Sequence, residues 1–199
     1  MNVPNKLSLV RILIVPVILL FLLPMREIGL VPEGWNLFVD TNGRIVAGVL
    51  FILASITDYA DGQIARRYNL VTNLGKFLDA LADKMLVVSV LIALVGLGRI
   101  SSVLVILVVF REFMVTGLRA IASEKGVVIA AKMIGKIKTT TQMIAIIFIL
   151  FEPLFLRFLP GGAADPVRIT GDVLFYISVV MTVISGADYM LKNRAYLKA

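Results

Sequence analysis

The chain has 199 residues, of which 59% are hydrophobic and 17% charged, and its mean hydropathy is +0.96; a soluble domain of this length is about half apolar and about a quarter charged, so the surplus of apolar side chains points to lipid and residues 1–199 read as one membrane domain. The absence of cysteine and histidine excludes disulfides, thiolate metal sites, catalytic thiols and every Ser-His-Asp scheme, leaving carboxylates, amines, hydroxyls or a bound ion for any chemistry. In such a chain a net charge of +7 marks cytoplasmic loops and anionic partners rather than nucleic acid.

A membrane-spanning helix needs about 20 mostly apolar residues. Six segments meet that requirement: Leu7–Leu23, Arg44–Arg66, Gly75–Leu97, Ser101–Ala122, Lys132–Phe151 and Ile169–Leu191. The expected fold is therefore an all-α integral membrane protein of six transmembrane helices. The first segment is read as a retained span rather than a signal peptide, because no small-residue cleavage site precedes Pro24-Met25-Arg26 and further spans follow. Pro24, Pro32 and Gly34 mark the first loop, and Pro160-Gly161-Gly162 the last. The loops 26–43 and 152–168 carry no interpretable motif. With the N-terminus in the cytoplasm, fifteen of the lysines and arginines fall on the cytoplasmic side and five outside. That bias predicts cytoplasmic termini at both ends of a multi-pass protein of the cell membrane.

Asp58 and Asp61 lie in the cytoplasmic third of the second segment, and Asp79 and Asp83 open the third. An ionised side chain at membrane depth costs at least about 2.5–3.5 kcal/mol. Residues three or four apart share a helix face, so each pair presents its carboxylates together. The short connection after Arg67 predicts that the two helices are antiparallel neighbours. Four carboxylates in one cluster must protonate, pair with cations or bind a metal. Pairing with Arg66, Arg67, Lys76 and Lys84 is the plain structural alternative. An all-oxygen donor set selects a hard ion, Mg²⁺ with Mn²⁺ or Ca²⁺ as substitutes, and two ions suit four carboxylates better than one.

The full pattern is Asp58-x-x-Asp61-Gly62-x-x-Ala65-Arg66, eight further residues, then Gly75-x-x-x-Asp79-x-x-x-Asp83. It resembles the signature of the CDP-alcohol phosphotransferase family at every fixed position. The resemblance implies that Asp58, Asp61, Asp79 and Asp83 hold divalent metal and that Asp83 is also the general base. It implies a CDP-linked lipid as donor, an active site at the cytoplasmic side of the bundle, and a homodimer. Gly62, Ala65 and Gly75 remove side-chain bulk on the acidic faces, which lets a nucleotide and its phosphates approach the backbone; close helix packing is the other use of such residues. A guanidinium fork at Arg66 suits the donor's phosphates. Pro4-Asn5-Lys6-Leu7-Ser8 is similar to the opening of the first span in bacterial members and gives Asn5 and Ser8 a donor-binding role, beside the simpler one of helix caps.

Arg111 and Arg119, eight apart, fall on nearly one face of the fourth segment, and Lys132, Lys136 and Lys138 open the fifth. Cations beside an acidic metal site point to a phosphate-bearing acceptor, with anionic-lipid binding as the alternative. We assign Arg111, Arg119 and Lys136 to that acceptor. The stretch from Arg111 to Gln142 resembles the branch of the family that joins CDP-diacylglycerol to sn-glycerol 3-phosphate, giving phosphatidylglycerol phosphate and CMP. An inositol phosphate acceptor would also want cations. From a different class, a transporter also carries intramembrane carboxylates, but near the midplane and with repeat symmetry, and no repeat is visible here.

Overall fold

The computed structural model describes residues 3–26, 31–67, 73–124, 133–159 and 164–193; the side chains of residues 3–5, 59–67, 73–74, 76 and 124 lie outside that description. The described residues form helices α1 (Val3–Leu22), α2 (Glu33–Phe38), α3 (Arg44–Arg67), α4 (Asn73–Gly96), α5 (Ser102–Glu124), α6 (Met133–Phe158) and α7 (Ala164–Asn193), with a π-helical turn, Val39–Gly43, leading into α3. No strand occurs among them. The stretch Glu33–Asp58 and helices α6 and α7 are long and apolar enough to cross a membrane. Helices α1, α4 and α5 interrupt their apolar runs with Arg11, with Asp79, Asp83 and Lys84, and with Arg111, Glu112 and Arg119. Those interruptions are the polar groups that gather into two clusters.

α1 is the central strut. Ser8, Arg11, Val15, Ile18 and Leu22 are all buried, and their spacing of three and four residues makes one stripe along the helix. That stripe packs against α3 on one side and α4 on the other, whereas α3 and α4 scarcely meet. The expectation of antiparallel neighbours therefore holds at the acidic ends, where Asp58 meets Asp79 and Asp83, and, among the described residues, not along the shafts. The short connection does bring their acidic ends together, but the bulk of α1 separates their shafts.

α6 and α7 form the most extensive helix pair. The buried stripe of α7 includes Gly171, Ser178, Thr182, Ser185 and Gly186, small residues that allow two backbones to come close. Buried Phe51, Leu91, Leu94, Ile146, Ile149 and Leu150 fill the space between α3, α4 and α6.

Two stretches are more ordered than their sequence suggested. Within 26–43, Trp35 and Phe38 of α2 meet Phe21 of α1 in tilted and edge-on contacts, with ring separations of 5.4 and 6.4 Å. A Cβ at Gly43 would lie 2.0 Å from the Phe21 carbonyl oxygen, so only glycine lets the π turn press against α1. At the other stretch, α6 continues past the expected end at Phe151 and α7 begins before Ile169. The charges that ended the apolar runs are paired there. Gly98, at φ +64, closes α4 with bonds from its own N–H to the Val95 carbonyl and from Arg99 N–H to Leu94, the left-handed glycine cap. The cap turns Arg99 inward, where Nε and Nη2 donate to Glu152 at 2.7 and 2.5 Å and Nη1 to Asp172 at 2.5 Å. Arg44 Nη2 donates to Glu152 at 2.9 Å. This network ties α3, α6, α7 and the α4–α5 turn together at the end of the bundle remote from Asp58. Gly171 makes room for it, since a Cβ there would lie 2.4 Å from Glu152 Oε1.

Candidate active site

The carboxylates of Asp58 on α3 and of Asp79 and Asp83 on α4 converge, with one oxygen of each lying within 4.8 Å of the others. Asp79 and Asp83 are one turn apart on one face, as their spacing requires. The cation in their midst comes from α1. Arg11 Nη1 donates to Asp83 at 2.5 Å, lies 3.4 Å from Asp79, and pairs with Asp58. The arginine side chain is 1% exposed, against 33% for Asp58, 47% for Asp79 and 49% for Asp83. Arg11 thus closes the inner side of a cluster whose carboxylates open outward. A donor set of three carboxylate oxygens this close fits a hard divalent cation.

Asp61 and Ala65 follow Asp58 at three and seven residues on α3, so the backbone places both on the acidic face. The side chains of Asn5, Asp61, Ala65 and Arg66, and the surroundings of Gly62, lie outside the described residues. Ser8, one turn before Arg11 on the same stripe, is buried. Gly75 stands one turn before Asp79 on α4 and is half-buried. Of the cations that sequence offered as plain partners, Lys84 reaches away from the cluster to Thr116 on α5. The side chains of Arg66, Arg67 and Lys76 lie outside the described residues, and among the described ones Arg11 is the cation that meets the three carboxylates. Sequence reasoning counted it only among the cytoplasmic charges. The available signal was a charge inside an otherwise apolar stripe, where an unpaired cation is costly.

A second polar group lies between α5, α6 and α7. Arg111 Nη1 donates to Glu112 at 2.9 Å and Nη2 to Ser185 at 2.7 Å. Lys138 pairs with the same Glu112 carboxylate. Gly186 admits the arginine, because a Cβ there would lie 2.8 Å from Arg111 Cγ. Arg119 donates to Tyr189 Oη at 3.2 Å and sits 5.5 Å from that ring's centroid, a cation–π distance. Lys138 is buried at 5% exposure, while Lys136 is exposed. The two are separated by about 200° around a helix, so only one can face inward. Arg111 and Arg119 are thus brought to one side of the bundle, and Lys138, not Lys136, is the lysine that joins them. Glu112, Ser185 and Tyr189 complete the group; Glu112 was legible as a partner for the deeply placed Arg111, whereas Ser185 and Tyr189 carried no sequence signal of their own. Lys84, next in the chain after Asp83, links the two groups through Thr116, whose hydroxyl donates to the Glu112 carbonyl.

Comparison with known proteins places the chain in a family. Residues 1–184 match the family model described as CDP-alcohol phosphatidyltransferase. A Bacillus subtilis protein named CDP-diacylglycerol–glycerol-3-phosphate 3-phosphatidyltransferase is 40% identical over 99% of this chain and 97% of its own length. A Rickettsia typhi protein of the same name is 34% identical over 98% of each chain. A Mycobacterium tuberculosis protein named probable phosphatidylglycerophosphate synthase is 36% identical over 96% of this chain and 81% of its own length. With the carboxylate signature in place on converging helices, and with similarity of this extent, the chain belongs to the CDP-alcohol phosphatidyltransferase family.

Proposed function

We propose that this chain is a metal-dependent membrane enzyme that transfers the phosphatidyl group of CDP-diacylglycerol to sn-glycerol 3-phosphate, releasing CMP and forming phosphatidylglycerol phosphate. The observation that carries the proposal is the convergence of Asp58, Asp79 and Asp83 from two helices around one point, in a chain whose relatives bear the names given above. Asp58, Asp61, Asp79 and Asp83 would hold the divalent metal, Mg²⁺ or Mn²⁺ and two ions by the four-carboxylate count. Bound there, such ions supply charge neutralisation for a diphosphate and a stabilised leaving group.

The chain's own residues account for the rest. Asp83, half-exposed at the open side of the cluster, accepts the proton of the acceptor hydroxyl as its oxygen attacks the lipid-linked phosphorus. The P–O bond to CMP breaks in the same displacement. With no histidine in the chain, the phosphatidyl-histidine route is closed and a direct in-line attack fits best. Asn5, Ser8, Gly62, Ala65, Arg66 and Gly75 would receive the CDP moiety. On the acceptor side, Arg111, Arg119 and Lys138 present cations for a phosphate, and Lys136 stands outside their cluster as an exposed charge. Six spans, both termini in the cytoplasm, residence in the cytoplasmic membrane and a homodimer complete the proposal. The six long helices and the lysine and arginine bias support the membrane topology; the family resemblance supports the dimer.

The test is CMP release by purified protein from CDP-diacylglycerol. Release that requires both a divalent ion and glycerol 3-phosphate is expected. Equal release with an inositol phosphate would displace the acceptor assignment, and no release with any small alcohol would remove the reaction.

A further inference from the structure

A guanidinium normally meets a carboxylate through two parallel N–H···O bonds. Among the described residues, one nitrogen of Arg11, Nη1, approaches an oxygen of each of Asp58, Asp79 and Asp83, much as a point charge is surrounded. One oxygen of each of these carboxylates lies within 4.8 Å of the others, a set that a divalent ion would take. Ligands of Mg²⁺ at about 2.0–2.1 Å lie no more than about 4.2 Å apart, so only a small contraction separates the present cluster from a coordinating one. The nitrogen and an ion cannot both occupy its centre. They would compete for the same lone pairs and stand within about 3 Å of each other as like charges.

We infer that Arg11 is a built-in counter-ion of the carboxylate triad, a tethered cation that a divalent ion must displace from Asp58, Asp79 and Asp83. The inference rests on reading the triad as metal ligands. α1 is held between α3 and α4 by Val15, Ile18 and Leu22, so the backbone that carries Arg11 is fixed. Three carboxylates without a cation repel one another. Arg11 keeps the metal-free cluster closed, and for that reason it opposes metal entry.

The experiment uses the full chain in detergent, stripped of metal, with Mn²⁺ as the probe. Binding is read from the loss of the free-ion paramagnetic resonance signal, and stability from thermal unfolding. Arg11→Gln is expected to bind Mn²⁺ at least about ten-fold more tightly than wild type, a change of about 1.4 kcal/mol. It should unfold at a lower temperature in chelator and regain that loss when saturated with Mn²⁺. A merely structural arginine would give the lower unfolding temperature without tighter metal. Mn²⁺ affinity in Arg11→Gln equal to or weaker than wild type overturns the inference. If Arg11→Gln cannot be recovered even in Mn²⁺, Arg11→Lys decides. Its shorter reach predicts tighter Mn²⁺ binding than wild type, and affinity no tighter refutes the idea. An Asp79→Asn variant that holds Mn²⁺ as well as wild type does would remove the metal reading itself, and the inference with it.

Discussion

Replacing Glu152 with alanine takes the central carboxylate out of the far-end ion network. Its side chain is 6% exposed and accepts from Arg99 twice, at 2.7 and 2.5 Å, and from Arg44 at 2.9 Å. Without it, Arg99 keeps Asp172 and the Arg168 carbonyl, and Arg44 keeps the Ile149 carbonyl. Arg99, itself 6% exposed, then keeps one carboxylate where it had two, and Arg44 loses its carboxylate partner among the described residues. Removing one partner of a buried pair costs about 3–5 kcal/mol, because the other charge stays buried. At about 2–4 °C per kcal/mol for a chain of this size, unfolding in detergent should come roughly 10 °C earlier. Glu152→Gln, which keeps the shape and loses the charge, should fall part of the way. CMP release per folded molecule, measured well below the transition, should stay within about two-fold, since the network lies at the end of the bundle remote from Asp58. An unfolding temperature within about 2 °C of wild type in Glu152→Ala would refute the reasoning and mark the network as dispensable.

Asp83→Asn should retain CDP-diacylglycerol binding and lose turnover by about 10²–10⁴-fold, the range for a missing general base; near-normal turnover would end its role as base. Arg119→Ala should raise the apparent KM for glycerol 3-phosphate more than that for the donor, and Lys138→Ala should do the same while Lys136→Ala leaves both within about two-fold; steady-state CMP release at varied acceptor and donor checks all three. Gly186→Ala places a methyl about where Arg111 Cγ now runs, so it should raise the acceptor's KM with Mn²⁺ affinity unchanged, and a silent variant would show that Arg111 is free to shift. Chelation should abolish CMP release, and Mg²⁺ or Mn²⁺ added back should restore it; release that persists in excess chelator would exclude the metal's role.

Much of the molecule was legible before any coordinates. The six long helices stand where six apolar segments were marked, because length and hydropathy are local properties of the chain. Asp58, Asp79 and Asp83 could be put together because three- and four-residue spacing fixes a helix face and the family signature joins the two helices. What the sequence left open falls where a second helix decides the outcome. Lys136 and Lys138 are indistinguishable as lysines at the start of one helix, and only Glu112 on α5 selects the second. α3 and α4 were read as neighbours because their loop is short, yet the buried stripe of α1 occupies the space between their shafts.

Taken alone, the sequence determined the membrane class and the helices through composition and periodicity, and the resemblance of its carboxylate spacing to a family signature pointed to the reaction. Only the tertiary structure decided which cation meets the carboxylates and how the far end is locked. Arg11 lies 68 and 72 residues from Asp79 and Asp83, and Arg99 lies 53 from Glu152. No local pattern encodes such pairings. They arise from the requirement that every charge drawn into a low-dielectric bundle find its opposite there, and the packing of distant helices determines which opposite is within reach.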